Sequence, residues 1–347
     1  MKIVHVIWSF NIGGAETMLA NLANEQAALG QSVSVIIIND SYDKELLRSI
    51  DDDVEVILLN RKPGSRSPLP IIKLNSLLLK CKPDVIHSHV GSIIEYLIKP
   101  LHRKTVLTMH TTGIVTPRKT LYKYSGIFAI SDSVKQVLKE KFNIDAITIT
   151  NGVVFKKIKH KQPVSNYGSY RIVNIGRLVD DIKGQSTLIK AASILPDDAN
   201  VSIDIIGDGP DMPMLLSLRS ELNVESKVNL LGAKGQAYIH EHLQDYDLLV
   251  QPSFIEGFGL TIVEGMAAKL PVLVSDIDGT SEVICNGEYG EKFKVGNHYD
   301  LAAKIMKIKK NPEIYIKRTE LAYKYAEEHY SLLRTARQYI KNYERYL

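Results

Sequence analysis

Residues 253–269 read Ser-Phe-Ile-Glu-Gly-Phe-Gly-Leu-Thr-Ile-Val-Glu-Gly-Met-Ala-Ala-Lys, and this stretch decides the fold of the chain. Apolar runs at 246–252 and 270–275 flank it and predict two short strands. A strand, a Gly-Phe-Gly turn, a helix of about ten residues and a second strand make one right-handed β-α-β crossover. The stretch therefore predicts a parallel sheet.

The turn of this crossover suits an anionic ligand. Gly257 and Gly259 flank Phe258 and let the backbone approach a ligand closely. The amides of Gly259, Leu260 and Thr261 open the helix and have no intrahelical acceptor. The turn is therefore predicted to bind a phosphate.

Two carboxylates lie on either side of the turn. Glu256 is in the turn itself, and Glu264 lies about a turn and a half into the helix. One can face a sugar while the other accepts hydrogen bonds from ribose hydroxyls. Neither can hold the phosphate, because like charges repel. The alternative is a solvated helix face with a glutamate in the preceding turn.

Two glutamates around Gly-Phe-Gly resemble the signature of the retaining GT-B glycosyltransferases of family 4. Members of that family move a sugar from a nucleotide diphosphate sugar to an acceptor. The resemblance extends over nearly the whole chain, because further motifs described below follow in the order of the family.

Composition is that of an ordinary soluble globular protein. The chain has 347 residues, 45% of them hydrophobic and 24% charged, which predicts two or three domains. Two cysteines, Cys81 and Cys285, fit a reducing cytosol better than a disulfide scaffold. The first residues enter a strand pattern with no signal region, and no run of 18 apolar residues occurs. A cytoplasmic protein is expected.

Charge is distributed unevenly. Residues 1–163 hold 22 Lys and Arg against 14 Asp and Glu, a balance of +8, and residues 164–347 hold 21 against 25, a balance of −4. A basic half can bind nucleic acid or an anionic membrane, or can carry an uninformative set of solvated charges. Nucleic acid is disfavoured because no recognition module or series of stacking aromatic residues accompanies the charge.

The first half alternates apolar strands with helical patterns, which predicts a doubly wound parallel sheet. The predicted helices are 15–29, 69–80, 92–102 and 132–142. The predicted strands are 2–8, 32–38, 54–59, 84–88, 105–109, 127–130 and 146–150.

Gly13 and Gly14 follow the first strand and open a helix at the carboxyl edge of the sheet, where open α/β folds bind ligands. Their spacing is not the three-glycine dinucleotide fingerprint, which weakens a nicotinamide interpretation. The pair resembles the glycine-rich loop of the glycosyltransferase family. The alternative is a tight turn with no ligand.

Three histidines stand at the ends of two successive strands. His87 and His89 share one face of a strand, so a metal site is conceivable, but no further ligand is found at recognisable spacing. Hydrogen-bonded lining of a cleft is the favoured interpretation for this pair. By resemblance, His110 matches the family histidine that lies beside the transferred sugar.

The second half begins after a polar, basic linker at 155–170. Arg177 and Lys183 follow its first strand, and a guanidinium fork with an ammonium can neutralise a leaving diphosphate without a metal. Family members usually place the lysine five residues after the arginine, whereas here the spacing is six. The longer spacing leaves it undecided by sequence whether the Lys183 ammonium reaches the diphosphate.

Further turns complete the predicted donor site. By resemblance, Gly207 lets the nucleoside approach the backbone, and Gly232 lies beside the base. Asp276 and Asp278 form an Asp-x-Asp pattern that binds manganese in transferases of another fold, but its position matches a family turn instead. No metal and no cofactor are expected.

Residues 297–347 are predicted to be helical, with breaks at 311–312 and near 330–331. In GT-B folds the last helix crosses back to the first domain. The predicted domains are therefore an acceptor-binding domain at 1–163, a nucleotide-sugar-binding domain at 164–330 and a returning helix at 331–347.

The resemblance implies an α/β protein of GT-B fold, with two Rossmann-like doubly wound domains facing across a cleft. It implies retaining, metal-independent sugar transfer from a nucleotide diphosphate sugar, expected to be a UDP-sugar. The expected acceptor is lipid-linked or a growing polysaccharide, reached by peripheral contact with the inner face of the cell membrane. A sugar-nucleotide epimerase and a non-catalytic nucleotide-binding or scaffold subunit remain the alternatives.

Overall fold

The computed structural model describes residues 1–161 and 169–347. The chain divides into two compact units: unit 1 is Met1–Gly152 with Leu332–Leu347, and unit 2 is Val153–Ser331. Residues 162–168 of the predicted linker, with the predicted boundary after residue 163, lie outside the described residues. The N–H of Lys159 donates to the carbonyl of His240 at 3.0 Å, so the segment before the gap is bonded to unit 2.

Unit 1 is built on a seven-stranded parallel sheet in the order β3-β2-β1-β4-β5-β6-β7. All seven predicted strands are confirmed. The central ones are Val- and Ile-rich and buried, as expected for parallel strands covered on both faces. The strands are β1 Lys2–Ile7, β2 Ser32–Asn39, β3 Glu55–Arg61, β4 Val85–Ser88, β5 Thr105–Met109, β6 Gly126–Ala129 and β7 Ile147–Thr148.

Helices connect these strands largely as predicted. They are α1 Gly14–Ala28, α2 Lys44–Arg48, α3 Leu69–Cys81, α4 Lys99–His102, α5 Arg118–Leu121 and α6 Asp132–Phe142. The prediction of one helix over 92–102 is wrong. A 3-10 turn covers Ile93–Tyr96, Leu97 and Ile98 are extended, and α4 begins at Lys99. Pro100 explains the break, because proline has no N–H and is tolerated only in the first turn of a helix.

Unit 2 holds a six-stranded parallel sheet in the order β10-β9-β8-β11-β12-β13. The predicted crossover around 253–269 is confirmed: β11 and β12 are parallel neighbours joined through one helix. The strands are β8 Tyr170–Ile175, β9 Val201–Ile206, β10 Val228–Leu230, β11 Leu248–Gln251, β12 Val272–Ser275 and β13 Glu291–Phe293.

The helices of unit 2 cover both faces of its sheet and bury an aliphatic core. They are α7 Asp180–Lys183, α8 Gln185–Ile194, α9 Met212–Glu221, α10 Gln236–His242, α11 Leu260–Ala267, α12 Asp278–Val283, α13 His298–Lys310 and α14 Pro312–Tyr330. Pro312 begins α14 because proline suits a first turn. No helix among the described residues is both long and apolar enough to cross a membrane.

The last helix, α15 Leu332–Tyr343, belongs to unit 1. Its buried stripe includes Tyr339 and Tyr343, both at most 2% exposed. The hydroxyl of Tyr339 lies 2.9 Å from Oγ1 of Thr108 on β5, and Thr335 Oγ1 donates to the carbonyl of Thr150 at 3.0 Å. The helix is therefore held by polar contacts as well as by packing.

Candidate active site

Two loops of unit 2 meet backbone to backbone at the carboxyl edge of its sheet. They are residues 176–184 after β8 and residues 252–259 after β11, and these two strands are neighbours. The N–H groups of Phe254 and Ile255 donate to the carbonyl of Ile182 at 2.9 and 3.1 Å. Gly184 has φ +65°, and a Cβ there would lie 2.2 Å from the carbonyl oxygen of Pro252. Only glycine permits this approach.

The loop contact joins Lys183 to Glu256. Lys183 Nζ lies 2.7 Å from Glu256 Oε2, and the side chains are 23% and 12% exposed. Ser253 Oγ donates to the same carboxylate oxygen at 3.4 Å. The additional residue between Arg177 and Lys183 is accommodated by the single turn of α7, which ends at Lys183. Lys183 therefore reaches the carboxylate despite the longer spacing.

Arg177 lies at the opening of the first loop. Its carbonyl accepts a hydrogen bond from Gln185 Nε2 at 3.1 Å, which holds the backbone. Its side chain is exposed, and the guanidinium has no ion pair or hydrogen bond within 1–161 and 169–347. It is therefore available for an external anion.

In the Gly-Phe-Gly turn, the main chain leads into α11 whereas the phenylalanine ring is buried. Gly259 has φ +85° and precedes Leu260 and Thr261, the first residues of α11. Phe258 is 2% exposed, and its ring packs edge-on against Tyr330 with centroids 5.3 Å apart. Phe258 is predicted to bind the donor, and the structure places its ring in the core. Its main chain alone remains for ligand contact.

Glu264 has a buried histidine partner. Its Oε1 lies 3.3 Å from His240 Nε2, and the two side chains are 9% and 4% exposed. His240 is on α10, and Gln236 of the same helix donates to Oε1 at 3.5 Å. The sequence analysis missed His240. The histidine orients a carboxylate that keeps a second oxygen for other donors.

Gly207 and Gly232 end the neighbouring strands β9 and β10. The N–H of Gly207 donates to the carbonyl of Gly232 at 2.9 Å. Gly207 has φ +154°, and a Cβ on it would lie 1.9 Å from the carbonyl oxygen of Gly176. Any side chain at 207 would therefore separate the two turns.

Asp276 is paired inside the protein. Its Oδ1 lies 2.8 Å from Lys292 Nζ and accepts from Ser281 Oγ at 3.0 Å. The hydrogen bond from Lys292 lowers the pKa of the Asp276 carboxyl. Asp278 instead begins α12, where Gly279 packs against the backbone of Glu256. The Asp-x-Asp pair thus forms a turn beneath Glu256.

In unit 1, Gly13 and Gly14 open α1 as predicted. Gly13 is the extended N-cap residue, and its carbonyl accepts from the N–H of Thr17 at 2.9 Å. A Cβ on Gly13 would lie 2.5 Å from Glu16 Oε2. The glycine leaves room for that carboxylate over the helix start.

His110 follows β5 and stacks on His89, with ring centroids 5.4 Å apart. Its Nε2 lies 3.2 Å from His89 Nδ1. Behind them, His5, His87 and His89 are buried with nitrogens within 4.8 Å of one another, so the third histidine that the sequence analysis did not find is His5. Burial lowers the pKa of His110 and of His5 to about 4, so both are neutral at neutral pH.

Comparison with known proteins assigns this arrangement to a family. The model described as glycosyl transferases group 1 matches residues 155–328, half of the chain, and the model described as glycosyltransferase family 4 matches residues 12–156. The chain therefore belongs to the group 1 glycosyltransferases and is a glycosyltransferase.

Individual proteins are similar over most of their length. An uncharacterized glycosyltransferase of Methanocaldococcus jannaschii is 29% identical over 67% of each chain. The phosphatidyl-myo-inositol mannosyltransferase of Mycobacterium leprae is 25% identical over 88% of this chain and 86% of its own. The Anabaena protein HepE, solved in complex with UDP-glucose, has a TM-score of 0.84 at 22% identity over 99% of each chain. The two parallel sheets are those of the GT-B fold.

Proposed function

We propose that this glycosyltransferase moves a sugar from a UDP-sugar to a lipid-linked or polysaccharide acceptor, with retention of the anomeric configuration and without a metal. The main support is the ion pair of Lys183 with Glu256, whose charged atoms lie 2.7 Å apart. It stands beside the Gly-Phe-Gly turn that precedes α11 and is predicted to bind phosphate. A carboxylate for the sugar and cations for the diphosphate stand together there.

Charge complementarity supports a role in leaving-group departure. Negative charge grows on the β-phosphate as the glycosidic bond stretches. Lys183 and the first amides of α11 supply donors at fixed positions, and the exposed guanidinium of Arg177 can join them when the diphosphate binds. One preorganised donor is typically worth about 3 to 4 kcal/mol. We assign Glu256 and His110 to contacts with the transferred sugar, and Glu264 to the ribose. The main chains of Gly257, Gly259, Leu260 and Thr261 bind phosphate, and those of Gly207 and Gly232 lie beside the nucleoside.

The choice of UDP and of a lipid acceptor rests on the relatives. HepE was solved with UDP-glucose, and the mycobacterial relative is named for a phosphatidylinositol acceptor. A panel of nucleotide sugars, assayed for release of nucleoside diphosphate in the presence of detergent-dispersed phosphatidylinositol or a soluble saccharide, tests the proposal. Release with a UDP-sugar and no other donor supports it; turnover with only a GDP- or ADP-sugar overturns the donor assignment.

Glu264→Ala is expected to weaken UDP binding roughly ten- to hundredfold, because a hydrogen bond to a charged acceptor contributes about 1.5 to 3 kcal/mol. His240→Ala is expected to weaken it less, since that histidine orients the carboxylate. Calorimetric titration with UDP measures both. Glu241→Ala is the matched control, because this exposed neighbour pairs with Lys159. Unchanged UDP affinity in Glu264→Ala would remove the ribose assignment.

Activity is expected to survive exhaustive chelation. Arg177 and Lys183 supply positive charge, and Asp276 already pairs with Lys292. Initial rates are measured after dialysis against EDTA and again with added Mn²⁺ or Mg²⁺. A rate that disappears on chelation and returns with either ion would restore Asp276 and Asp278 as metal ligands.

Unit 1 is proposed to dock on an anionic membrane surface. The sequence analysis drew this from the charge of +8 on residues 1–163, and the structure describes the basic side chains near α3 and α4. The side chains of Lys62, Arg66, Lys99 and Arg103 are exposed and make no ion pair or hydrogen bond among the described residues. Arg61, Lys104 and Lys123 are engaged within the unit.

Exposed apolar side chains accompany these charges. Leu69 and Ile72 on α3 are 70% and 59% exposed, and Tyr96 and Ile98 are also exposed. Asn75 of α3 bonds the carbonyl of Tyr96 and the N–H of Ile98, each at 2.9 Å, so the two segments are adjacent. Apolar side chains rimmed by lysine and arginine suit the interfacial region of a bilayer.

Sedimentation with vesicles tests the docking. Each basic residue near an anionic leaflet contributes about 1 kcal/mol, so Lys99→Glu with Arg103→Glu should weaken binding at least tenfold. Lys190→Glu with Lys310→Glu, two exposed lysines of unit 2, is the matched control. Binding to anionic vesicles that falls with salt is expected; binding indifferent to lipid charge and salt, or none, would favour a soluble acceptor.

A further inference from the structure

A row of polar side chains crosses the interior of unit 1 on one face of its sheet. His5 on β1 is the register partner of His87 on β4, and His87 is the partner of Val106 on β5. Side chains two positions apart share a face of a strand, so His89 and His110 lie on the same face as this pair. Apart from Thr108, which bonds His87, the strand residues beside them on this face are apolar, so the buried histidines need a physical reason.

Hydrogen bonds connect three of these histidines in series to a glutamine of α1. Gln26 Oε1 lies 2.7 Å from His5 Nε2, and His5 Nδ1 lies 3.0 Å from His89 Nε2. His89 Nδ1 then lies 3.2 Å from His110 Nε2. His110 Nδ1 ends the series, and it has no hydrogen-bond partner in the ranges 1–161 and 169–347. We call Gln26, His5 and His89 the relay.

Each imidazole of the series carries one proton at neutral pH. Burial lowers the pKa of His5 and His110 to about 4 and that of His89 well below its ordinary value. A neutral imidazole has one N–H donor and one acceptor nitrogen. The proton position on the first ring therefore determines the position on every ring that follows.

The orientation of Gln26 sets the direction of the series. Gln26 Nε2 lies 3.3 Å from Tyr343 Oη, and Tyr343 Oη lies 2.6 Å from His87 Nδ1. We assign the phenol as the donor in this short contact, because O–H donors make shorter hydrogen bonds than N–H donors, and the phenol oxygen then accepts from the Gln26 amide N–H. The Gln26 carbonyl then faces His5 and requires Nε2–H there. His89 and His110 follow as Nε2–H tautomers.

We propose that Gln26, His5 and His89 are positioning residues that hold His110 in its Nε2–H tautomer, so that the Nδ1 lone pair of His110 accepts a hydrogen bond from a hydroxyl of the transferred sugar. The inference rests on the proposed contact of His110 with the sugar. It adds the direction of that hydrogen bond: the sugar hydroxyl donates, and Nδ1 of His110 accepts.

A buried metal is the competing use of the same histidines. His5, His87 and His89 bring nitrogens within 4.8 Å, but each of their ring nitrogens already has a hydrogen-bond partner. A metal would have to break this network, and no unpartnered nitrogen of the three points to one. Stoichiometric zinc in the purified protein, by elemental analysis, would overturn the relay.

Histidine tautomers are read directly by ¹⁵N NMR, which distinguishes protonated from unprotonated ring nitrogens. In the protein labelled at histidine, His110, His89 and His5 are expected as Nε2–H tautomers at neutral pH. His110 as the Nδ1–H tautomer would overturn the proposal. This measurement needs no substrate, so it decides the relay even if no donor is turned over.

Variants separate the relay from general packing. Gln26→Met keeps the volume and removes the acceptor, so His110 should populate both tautomers. His89→Asn keeps an acceptor oxygen near the Nδ1 position and should retain the His110 tautomer, whereas His89→Leu should not. Tyr124→Phe is the matched control, since it removes a buried hydroxyl of unit 1 that donates to the carbonyls of Val90 and Gly91 and contacts no histidine in the described part of the chain. An unchanged His110 tautomer in both Gln26→Met and His89→Leu would overturn the relay.

Kinetics test the contact with the sugar. Gln26→Met should lower kcat/KM for the donor roughly two- to twelvefold, the range for one hydrogen bond between neutral groups. The same comparison is made with a series of deoxy donors, each lacking one sugar hydroxyl. With the donor that lacks the hydroxyl bound by His110, Gln26→Met and the unaltered protein should have the same kcat/KM. An equal loss with every deoxy donor would overturn the sugar contact. Absence of turnover in the unaltered protein would instead refute the proposed function and leave the tautomer result standing.

Discussion

Glu256→Ala is expected to reduce sugar transfer roughly a hundred- to a thousandfold while leaving UDP affinity nearly unchanged. The carboxylate is held by Lys183 at 2.7 Å, and Gly279 packs beneath its backbone, so its position is fixed before substrate arrives. It is assigned to the sugar, and the phosphates are assigned to other groups. Initial rates and calorimetric titration with UDP measure the two effects separately.

Glu313→Ala is the control for this substitution, because it removes an exposed carboxylate of unit 2 on α14. Glu256→Gln is a second comparison, since it keeps the shape of the side chain and removes its charge. Rates near those of the unaltered protein for Glu256→Ala, with a competent donor and acceptor, would refute the central assignment.

Unit 1 is expected to lose stability steeply as the pH falls from 6.5 toward 5. Burial holds the pKa of His5 at about 4, against an ordinary value of 6.5, and holds those of His87 and His89 well below it. Below pH 6.5 the unfolded chain binds protons that the folded chain excludes, so the free energy of unfolding falls as the pH falls. Above pH 6.5 these groups contribute no pH dependence.

The expected effect is large. Each excluded proton costs about 1.4 kcal/mol per pH unit, hence about 2 kcal/mol per histidine at pH 5. His5 and His110, whose pKa values are about 4, together give roughly 4 kcal/mol, and His87 and His89 add to this in the same direction. The sum is a large part of the entire stability of many domains, roughly 5 to 15 kcal/mol. Urea unfolding followed by circular dichroism between pH 7.5 and pH 5 measures it.

Matched histidine variants identify the source of this pH dependence. His87→Gln removes one buried titrating group. The slope of the free energy of unfolding against pH should therefore fall by about 1.4 kcal/mol per pH unit, the equivalent of one proton. His102 is half-buried and makes no hydrogen bond with the relay, so His102→Gln should leave the slope unchanged. Equal slopes in all three proteins would show that other groups govern the acid transition.

Much of the fold was predictable from sequence because parallel strands buried on both faces produce continuous apolar runs. All seven strands of unit 1 and the β11-α11-β12 crossover were found in this way. The helix predicted over 92–102 failed because helical periodicity continued through Pro100, which ends one turn and begins another. Local backbone chemistry prevailed over the hydrophobic pattern there.

The candidate site was less completely predictable, because side chains from distant positions meet only in the folded chain. His240 approaches Glu264 from a helix whose sequence carries no motif. His5 looked like one residue of an apolar strand, and only its register with His87 places it in the polar row. Phe258 lies in the turn that the sequence predicts to bind phosphate, yet its ring fills the core against Tyr330.

Proton NMR of the complete reaction tests the central claim most directly. A UDP-sugar, the protein and a lipid and saccharide extract of the source organism are mixed, and the anomeric protons of donor and product are followed together with free UDP. The account predicts that donor is consumed and UDP released in equal amounts, and that a glycoside forms with the anomeric configuration of the donor. It also predicts no reaction with Glu256→Ala. A product of inverted configuration, or equal conversion by Glu256→Ala, would contradict it.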